Sequence, residues 1–386
     1  MGIYGKGRVM INIFQPSLGQ EELDEIKKVF ESNWIGKGDW VNLFEKNFSE
    51  SLGSDPQYFI STTCCTEGIF LSAELFDFGI NDEVIVPSIS FISVANCVVS
   101  KAATVVFCDV DKHSLNARAE HIEEKLTPRT KAVFLNHYGG FPCAMEPIIG
   151  LCRKHNITLI EDSACAVKSF YKGRACGTLG DMGLWSFDAM KVLCTGDGGM
   201  IYLKSKELMQ AAREQFYYGL AGRQTSGMDA SSRGSQRWWE FEINRPGRRA
   251  IMNNITAAIG LAQLRKLDNF IARRKKIYEI YEQELRPCSW LRTPPASEKE
   301  CSSSYYFFWI QLEKRDELAR FLLDHGIYTT FRYWPLHMVK YFKQDKMKLP
   351  NAHKISQTTL NIPLHQSLSD EDVYKIIGLI KEFGSR

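Results

Sequence analysis

No apolar run in the sequence reaches the roughly 18 residues that a membrane-spanning helix needs. No Cys-x-x-Cys pair occurs among its eleven cysteines, so the spacing of zinc ribbons and thioredoxin-like redox sites is missing. Their number is odd and most sit in apolar stretches, as small buried thiols of a cytoplasmic protein do. Neither a metal site nor a disulfide framework is expected. Charge of one sign is also scarce: 48 basic residues face 45 acidic ones, a net +3. So even a balance excludes a nucleic-acid footprint or a membrane-surface patch. The first residues, MGIYGKGRVMINIF, lack a signal-peptide core. Lys6 stands where a myristoylation signal wants Ser or Thr. The chain reads as soluble and cytoplasmic.

What is present is ordinary globular material: 386 residues, 44% hydrophobic and 24% charged, enough for about two domains. Residues 19–50 read as helix, with Leu23, Ile26, Val29 and Phe30 as one apolar stripe. Phe44 and Phe48 mark another after the loop WIGKGDW. From about 57 to 205, short β-branched runs alternate with helical stretches. The runs are EVIVPS (83–88), ATVVFCDV (103–110), KAVFLNHY (131–138), ITLIEDS (157–163), GLWSFD (183–188) and GMIYLKS (199–205). Helical candidates lie at 66–77, 117–125, 145–155 and 206–213. Near-continuous apolar strands separated by helices predict a mostly parallel α/β sheet. Ligands of such sheets sit beyond the carboxyl ends of the strands.

Residues 220–247 are rich in Gly, Ser and Arg and hold the pair Trp238-Trp239. So long a connection is usually functional; the two rings suit substrate or subunit contact, or the loop's own packing. A long helix follows, about 251–285. A strand (305–312), a helix (314–325), a strand (327–333) and a final helix (369–383) predict an α+β second domain. The division expected is a large α/β domain over 1–250 and a smaller one over 251–386.

One lysine stands apart. In WSFDAMKVLCTGDGGM (185–200), Lys191 follows a strand end and precedes a Gly-rich turn. A lysine amine becomes reactive when desolvated or when it meets a cofactor aldehyde. Pyridoxal phosphate asks for that lysine, an acid at its ring nitrogen, a phosphate cradle and an aromatic face. Asp162 ends a strand and suits the ring nitrogen, or a turn cap. Cys65, Thr66 and Glu67 open an apolar helix whose amides suit a phosphate, and Ser186 offers a hydroxyl. Phe91 suits the ring face, or the core.

Taken together these segments resemble the pyridoxal phosphate-dependent sugar aminotransferases of the DegT type, in the fold-type I group. That family's lysine signature is Ser-Phe-x-x-x-Lys followed by Thr-Gly-x-Gly-Gly; here it is Ser186-Phe187, Lys191, Thr195-Gly196 and Gly198-Gly199. Further blocks align in order: WIGKGDWVNLFEKNF (34–48), FGINDEVIVPSISFISVANCV (78–98), LNHYGGFPCAM (135–145), EDSACAVKSFYKGRACGTLGDMGLWSF (161–187), MNNITAAIGLAQLRKLDNFIARR (252–274) and FRYWPLH (331–337). The resemblance implies a seven-stranded, mostly parallel sheet flanked by helices, with a smaller α+β C-terminal domain. It implies that Lys191 ties the cofactor as a Schiff base and shuttles protons, and that Asp162 pairs with the ring nitrogen. Cys65, Thr66, Glu67 through its backbone, and Ser186 would hold the phosphate, with Phe91 on the ring. It also implies a homodimer with shared active sites, L-glutamate as donor and a keto-sugar as acceptor.

Three departures stand out. Cys165 replaces the usual Gln or His beside the ring. Cys65-Thr66-Glu67 is bulkier than the usual phosphate loop. Arg249 falls where the family has a neighbour-subunit asparagine, and could bind phosphate or an acidic substrate group. Trp34, His137, Arg248, Arg332 and His337 are the substrate-side candidates; His137 equally suits a core role. The acceptor expected is a nucleotide-linked 4-keto or 3-keto deoxyhexose. The arginines of 245–249 keep an acidic acceptor such as 8-keto-Kdo in play. A dehydratase of this fold typically has His at the lysine position, and a cofactor-binding regulatory protein would show no turnover.

Overall fold

The computed structural model describes residues 10–220, 240–297, 299–342, 344 and 346–386. Helices α1 (Gln20–Glu31) and α2 (Asp39–Ser51) precede strand β1 (Phe59–Thr62). Helices and strands then alternate: α3 (Cys65–Leu75), β2 (Glu83–Pro87), α4 (Ile92–Ser100), β3 (Thr104–Cys108), α5 (Ala119–Glu123), β4 (Thr130–Asn136), α6 (Met145–His155) and β5 (Thr158–Asp162). After the short β6 (Phe170–Tyr171) and β7 (Arg174–Ala175) come β8 (Met182–Ser186), β9 (Gly199–Leu203) and α7 (Lys206–Gln215).

Seven strands form one sheet in the order β1-β9-β8-β5-β4-β2-β3. Only β9 runs against its neighbours β1 and β8; the other pairings are parallel. β1 and β2 are buried at every residue, as a sheet covered on both faces requires. All six predicted strands of this region are present. β1 is one the apolar pattern does not reveal. Its sequence FIST is short and half polar, and Glu45 takes hydrogen bonds from the Ser61 amide (2.8 Å) and hydroxyl (2.7 Å).

The long helix α8 (Asn254–Leu285) lies against α1 and α2 and also meets the last helix, α11 (Asp370–Gly384). Between them lie β10 (Cys301–Ser302), β11 (Phe308–Gln311), α9 (Arg315–Asp324), α10 (Pro350–Thr358) and β12 (Thr359–Ile362). β11 and β12 pair antiparallel. The strand expected over 327–333 does not form. Ile327 and Thr330 make only isolated bridges, to Ile11 and Asn361. The stripe expected on α1 is also different: Val29 is buried, but Leu23 and Phe30 are exposed. Glu22 and Glu25 face inward instead, because α8 presents polar partners to them. Gln263 donates to Glu22 at 2.8 Å and Arg265 to Glu25 at 3.0 Å, while Lys266 pairs with Glu22. No described helix is long and apolar enough to cross a membrane.

Arg274 of α8 is buried at 1% exposure, and its hydrogen bonds go to neutral oxygens of Gln366, Tyr305, Tyr306 and Leu364. His365 is buried nearby. Burial, and then the Arg274 charge, push its imidazole down to about 4. An unfolded histidine takes its proton near 6.5. The unfolded chain therefore binds more protons between these values. Stability from His365 is full above about pH 6.5 and is lost as pH falls towards 4, by about 3 kcal/mol. His365→Gln should flatten thermal melting across that window relative to the parent; parallel curves would refute this.

Candidate active site

The chain segments that leave the carboxyl ends of β1, β2, β4, β5 and β8 converge on one cleft. Cys65, Thr66, Phe91, His137, Asp162, Cys165, Ser186, Lys191 and Arg332 all line it. The parallel direction of these strands brings together residues more than a hundred positions apart. Gly199 is needed here: a Cβ on it would lie 2.8 Å from the Cys65 amide, so only glycine lets β9 start against the first turn of α3.

The N-terminus of α3 faces the cleft through Cys65 and Thr66. Its N-cap, Cys64, makes no side-chain capping bond, so first-turn amides and the helix dipole remain for an anion. Glu67 does not join them. Its amide donates to the Cys64 carbonyl (3.2 Å) and its carboxylate pairs with Arg248 (2.6 Å). The Glu67 amide is thus already engaged within the first turn.

Asp162 ends β5, level with Asn136 of β4, and is buried. Burial raises its carboxyl above the ordinary value; the Ala164 amide, donating at 3.0 Å, and the Lys191 charge work the other way. A cation beside the carboxylate would relieve that burial. Lys191 stands 3.8 Å from the Cys165 sulfur and 5.0 Å from the centre of the Tyr306 ring. Burial works against its ammonium, but Cys165, Tyr306, Asp162 and Cys65 outweigh it, and the net shift is upward. The two thiols and the phenol are themselves pushed up by burial. At neutral pH they keep their protons, and Asp162 is the only carboxyl among these four.

Phe91 caps α4 and is 44% exposed at the cleft wall. It meets Tyr333 edge-on at 5.7 Å, and the Tyr333 hydroxyl lies 3.7 Å from the Cys165 sulfur. Tyr333 thus joins the two walls. It lies beside Arg332 in FRYWPLH, where an aromatic between two candidate residues was the available signal.

Other candidates are engaged by the protein itself or fall elsewhere. Both nitrogens of the buried His137 are taken: Nδ1 accepts from the Cys143 amide (3.2 Å), and Nε2 donates to Glu161 (3.0 Å). The acceptor at Nδ1 fixes a neutral ring. His137 therefore supports the wall and offers a substrate no nitrogen. His337 is buried, bonded through Nδ1 to Ser88 (2.6 Å), and is not on the cleft. Arg248 is also off the cleft, held by Glu67 and by Glu74 at 2.8 Å. Trp34 donates to the Lys37 carbonyl (2.9 Å) and lies outside it too. Arg249 is exposed, with its guanidinium 5.8 Å from the Tyr217 ring. Trp238 and Trp239 lie outside the described residues.

The site fits pyridoxal phosphate. It offers a buried acid, a helix N-terminus, a lysine and an aromatic wall in one cleft. Ser93 Oγ and Asn136 Oδ1, both buried on its wall, have no hydrogen-bond partner in the protein and leave polar capacity for a ligand.

A fold of this order with such a lysine cleft suits an enzyme that ties pyridoxal phosphate through a lysine. The model of the DegT/DnrJ/EryC1/StrS aminotransferase family matches residues 16–381, and the chain belongs to that family. It is 47% identical over 366 residues to the dTDP-4-dehydro-2,3,6-trideoxy-D-glucose 4-aminotransferase of Saccharopolyspora spinosa, covering 94% of each chain. It is 33% identical to the GDP-perosamine synthase of Escherichia coli O157:H7, covering 97% of this chain and 99% of that one. The crystal structure of the aminotransferase TlmJ from Streptoalloteichus hindustanus superposes with a TM-score of 0.91 at 48% identity, over 97% of this chain and 99% of that one.

Proposed function

We propose that the protein transfers an amino group from L-glutamate to the 4-keto carbon of a nucleotide-linked deoxyhexose, using pyridoxal phosphate. The observation that carries the acceptor is the 47% identity, over nearly the whole of both chains, to an enzyme named as a 4-aminotransferase of a dTDP-linked 4-dehydro-deoxyhexose. Pyridoxal phosphate, when bound, supplies the electron sink that lets an amino group change carbons. Lys191 would tie it and carry a proton to and from the bound groups. Asp162 would hold the ring nitrogen with a charge-assisted hydrogen bond. Amides of Cys65 and Thr66 and the Ser186 hydroxyl would hold the phosphate, and Phe91 and Cys165 would serve the ring.

Arg332 suits the donor carboxylate. It lines the cleft, where its guanidinium meets the Met190 sulfur at 3.6 Å and the Phe14 ring, both uncharged partners. The acidic-acceptor reading loses support, because Arg245 is held by Glu214 and Arg248 by Glu67 and Glu74. We also infer a homodimer. Leu18, Leu23 and Phe30 are exposed on the single chain, and Arg249 is exposed and outside the lining of its own cleft, as a residue serving a partner's cleft would be.

The purified protein with pyridoxal phosphate, L-glutamate and a dTDP-4-keto-deoxyhexose should release one 2-oxoglutarate per amino-sugar nucleotide formed, read by coupled assay and mass spectrometry. Turnover of 8-keto-Kdo alone would overturn the acceptor assignment. No turnover with any keto-sugar would overturn the reaction.

A further inference from the structure

We propose that Tyr306 is a positioning residue: the face of its ring seats the Lys191 amine whenever that amine is not tied to the cofactor. The proposal rests on the reading of Lys191 given above.

An amino-transfer cycle frees the lysine amine and later takes it back. Between these events a buried ammonium needs a partner close to the reacting atoms. Asp162 cannot fill that role while it holds the ring nitrogen. The neighbouring thiols, Cys165 and Cys65, stay neutral at pH 7, because burial pushes both up. Tyr306 offers a π face instead, with the Lys191 nitrogen 5.0 Å from the ring centre, within cation–π range.

The ring is held so that it cannot turn away. The Tyr306 amide donates to the Gly139 carbonyl (2.9 Å), and its own carbonyl accepts from Arg274 (3.4 Å). Phe14 stacks on it at 5.3 Å and 19°, and Phe14 in turn carries the Arg332 guanidinium 5.2 Å from its centre. Tyr306 is 1% exposed, so water does not compete for the lysine on that side. Desolvation is the condition under which cation–π contacts are strongest.

The test reads Lys191 directly, in the full-length protein freed of cofactor. Acetylation of Lys191 by acetic anhydride for a fixed time is followed by mass spectrometry between about pH 6 and 9, where Tyr306, Cys165 and Cys65 keep their protons; the pH of half-labelling, the midpoint, tracks the fraction of free amine. The other titratable groups facing it are Asp162 from β5, Cys165 beyond it, Cys65 from α3, Tyr333 and Arg332 from the C-terminal segment, and Asp188 and Asp197 on the Lys191 loop; none is altered. Removing the ring destabilises the ammonium, so the midpoint should fall. Tyr306→Leu should lower it by about one pH unit or more, and Tyr306→Phe, which keeps the face, should hold it within a few tenths.

Phenylalanines of increasing fluorination placed at 306 keep the shape of the ring while draining its face, and guard against a Leu variant that fails to fold. The midpoint should fall stepwise with fluorine content. A midpoint unmoved by fluorination, or a Phe variant as impaired as Leu, would overturn the proposal. Failure of the wild type to bind pyridoxal phosphate at Lys191 would instead overturn the underlying reading, since the midpoint needs no cofactor.

Discussion

Lys191→Ala is expected to lower amino transfer by at least about a thousandfold, the scale of a positioned proton carrier that also forms the covalent tether. The variant should still fold. The Lys191 amine is held only by weak contacts, 3.8 Å to the Cys165 sulfur and 5.0 Å to the centre of the Tyr306 ring, and its neighbours in the loop are fixed by backbone bonds. A small primary amine such as methylamine should restore at least about tenfold of the lost rate, because it can occupy the space and carry the proton. A variant that turns over at the normal rate would sink the proposed reaction. Loss without rescue would assign the effect to structure instead of proton transfer.

The second large effect is on stability. Glu161 is fully buried and its two oxygens serve four donors. Oε2 accepts from His137 (3.0 Å) and the Gly177 amide (2.9 Å); Oε1 accepts from the Leu179 (2.7 Å) and Gly180 (2.6 Å) amides. It therefore pins both the turn 177–180 and the His137 wall one residue before Asp162. Glu161→Ala leaves these donors without acceptors in a dry interior. Breaking such a buried charged cluster destabilises by about 3–5 kcal/mol. Glu161→Gln keeps one carbonyl oxygen and should lose less. Urea unfolding followed by circular dichroism measures both; a loss under about 1 kcal/mol for the Ala variant would show that water replaces the carboxylate.

Much of the sheet was legible because its strands are apolar runs of β-branched residues between polar strand ends. Lys191, Asp162, Thr66, Phe91 and Ser186 were legible as positions relative to those ends, and the cleft does bring them together. What escaped the sequence is pairing across distance. His337 looks like a free imidazole in FRYWPLH, yet its partner Ser88 is 249 residues away. Arg248 reads as an available cation until α3 turns Glu67 and Glu74 towards it. Tyr306 sits in SSSYYFF, an ordinary core run, and only the fold sets its ring by the lysine. Periodicity reports which face is apolar; it says nothing of which polar group meets which.

The reversed strand β9 has a further consequence. Ser186 of β8 and Gly199 of β9 are register partners, so residues 187–198 leave the sheet and return to it at one place. The Phe187 amide donates to the Gly198 carbonyl (2.9 Å) and the Thr195 amide to the Phe187 carbonyl (2.8 Å), which closes the loop on itself. Lys191 is thus carried on a cartridge whose fastening does not include its side chain. A scaffold built this way can trade its reactive group for another without renegotiating the rest of the fold. Diversification of chemistry in such proteins has a cheap route through one loop, while the sheet stays as it was.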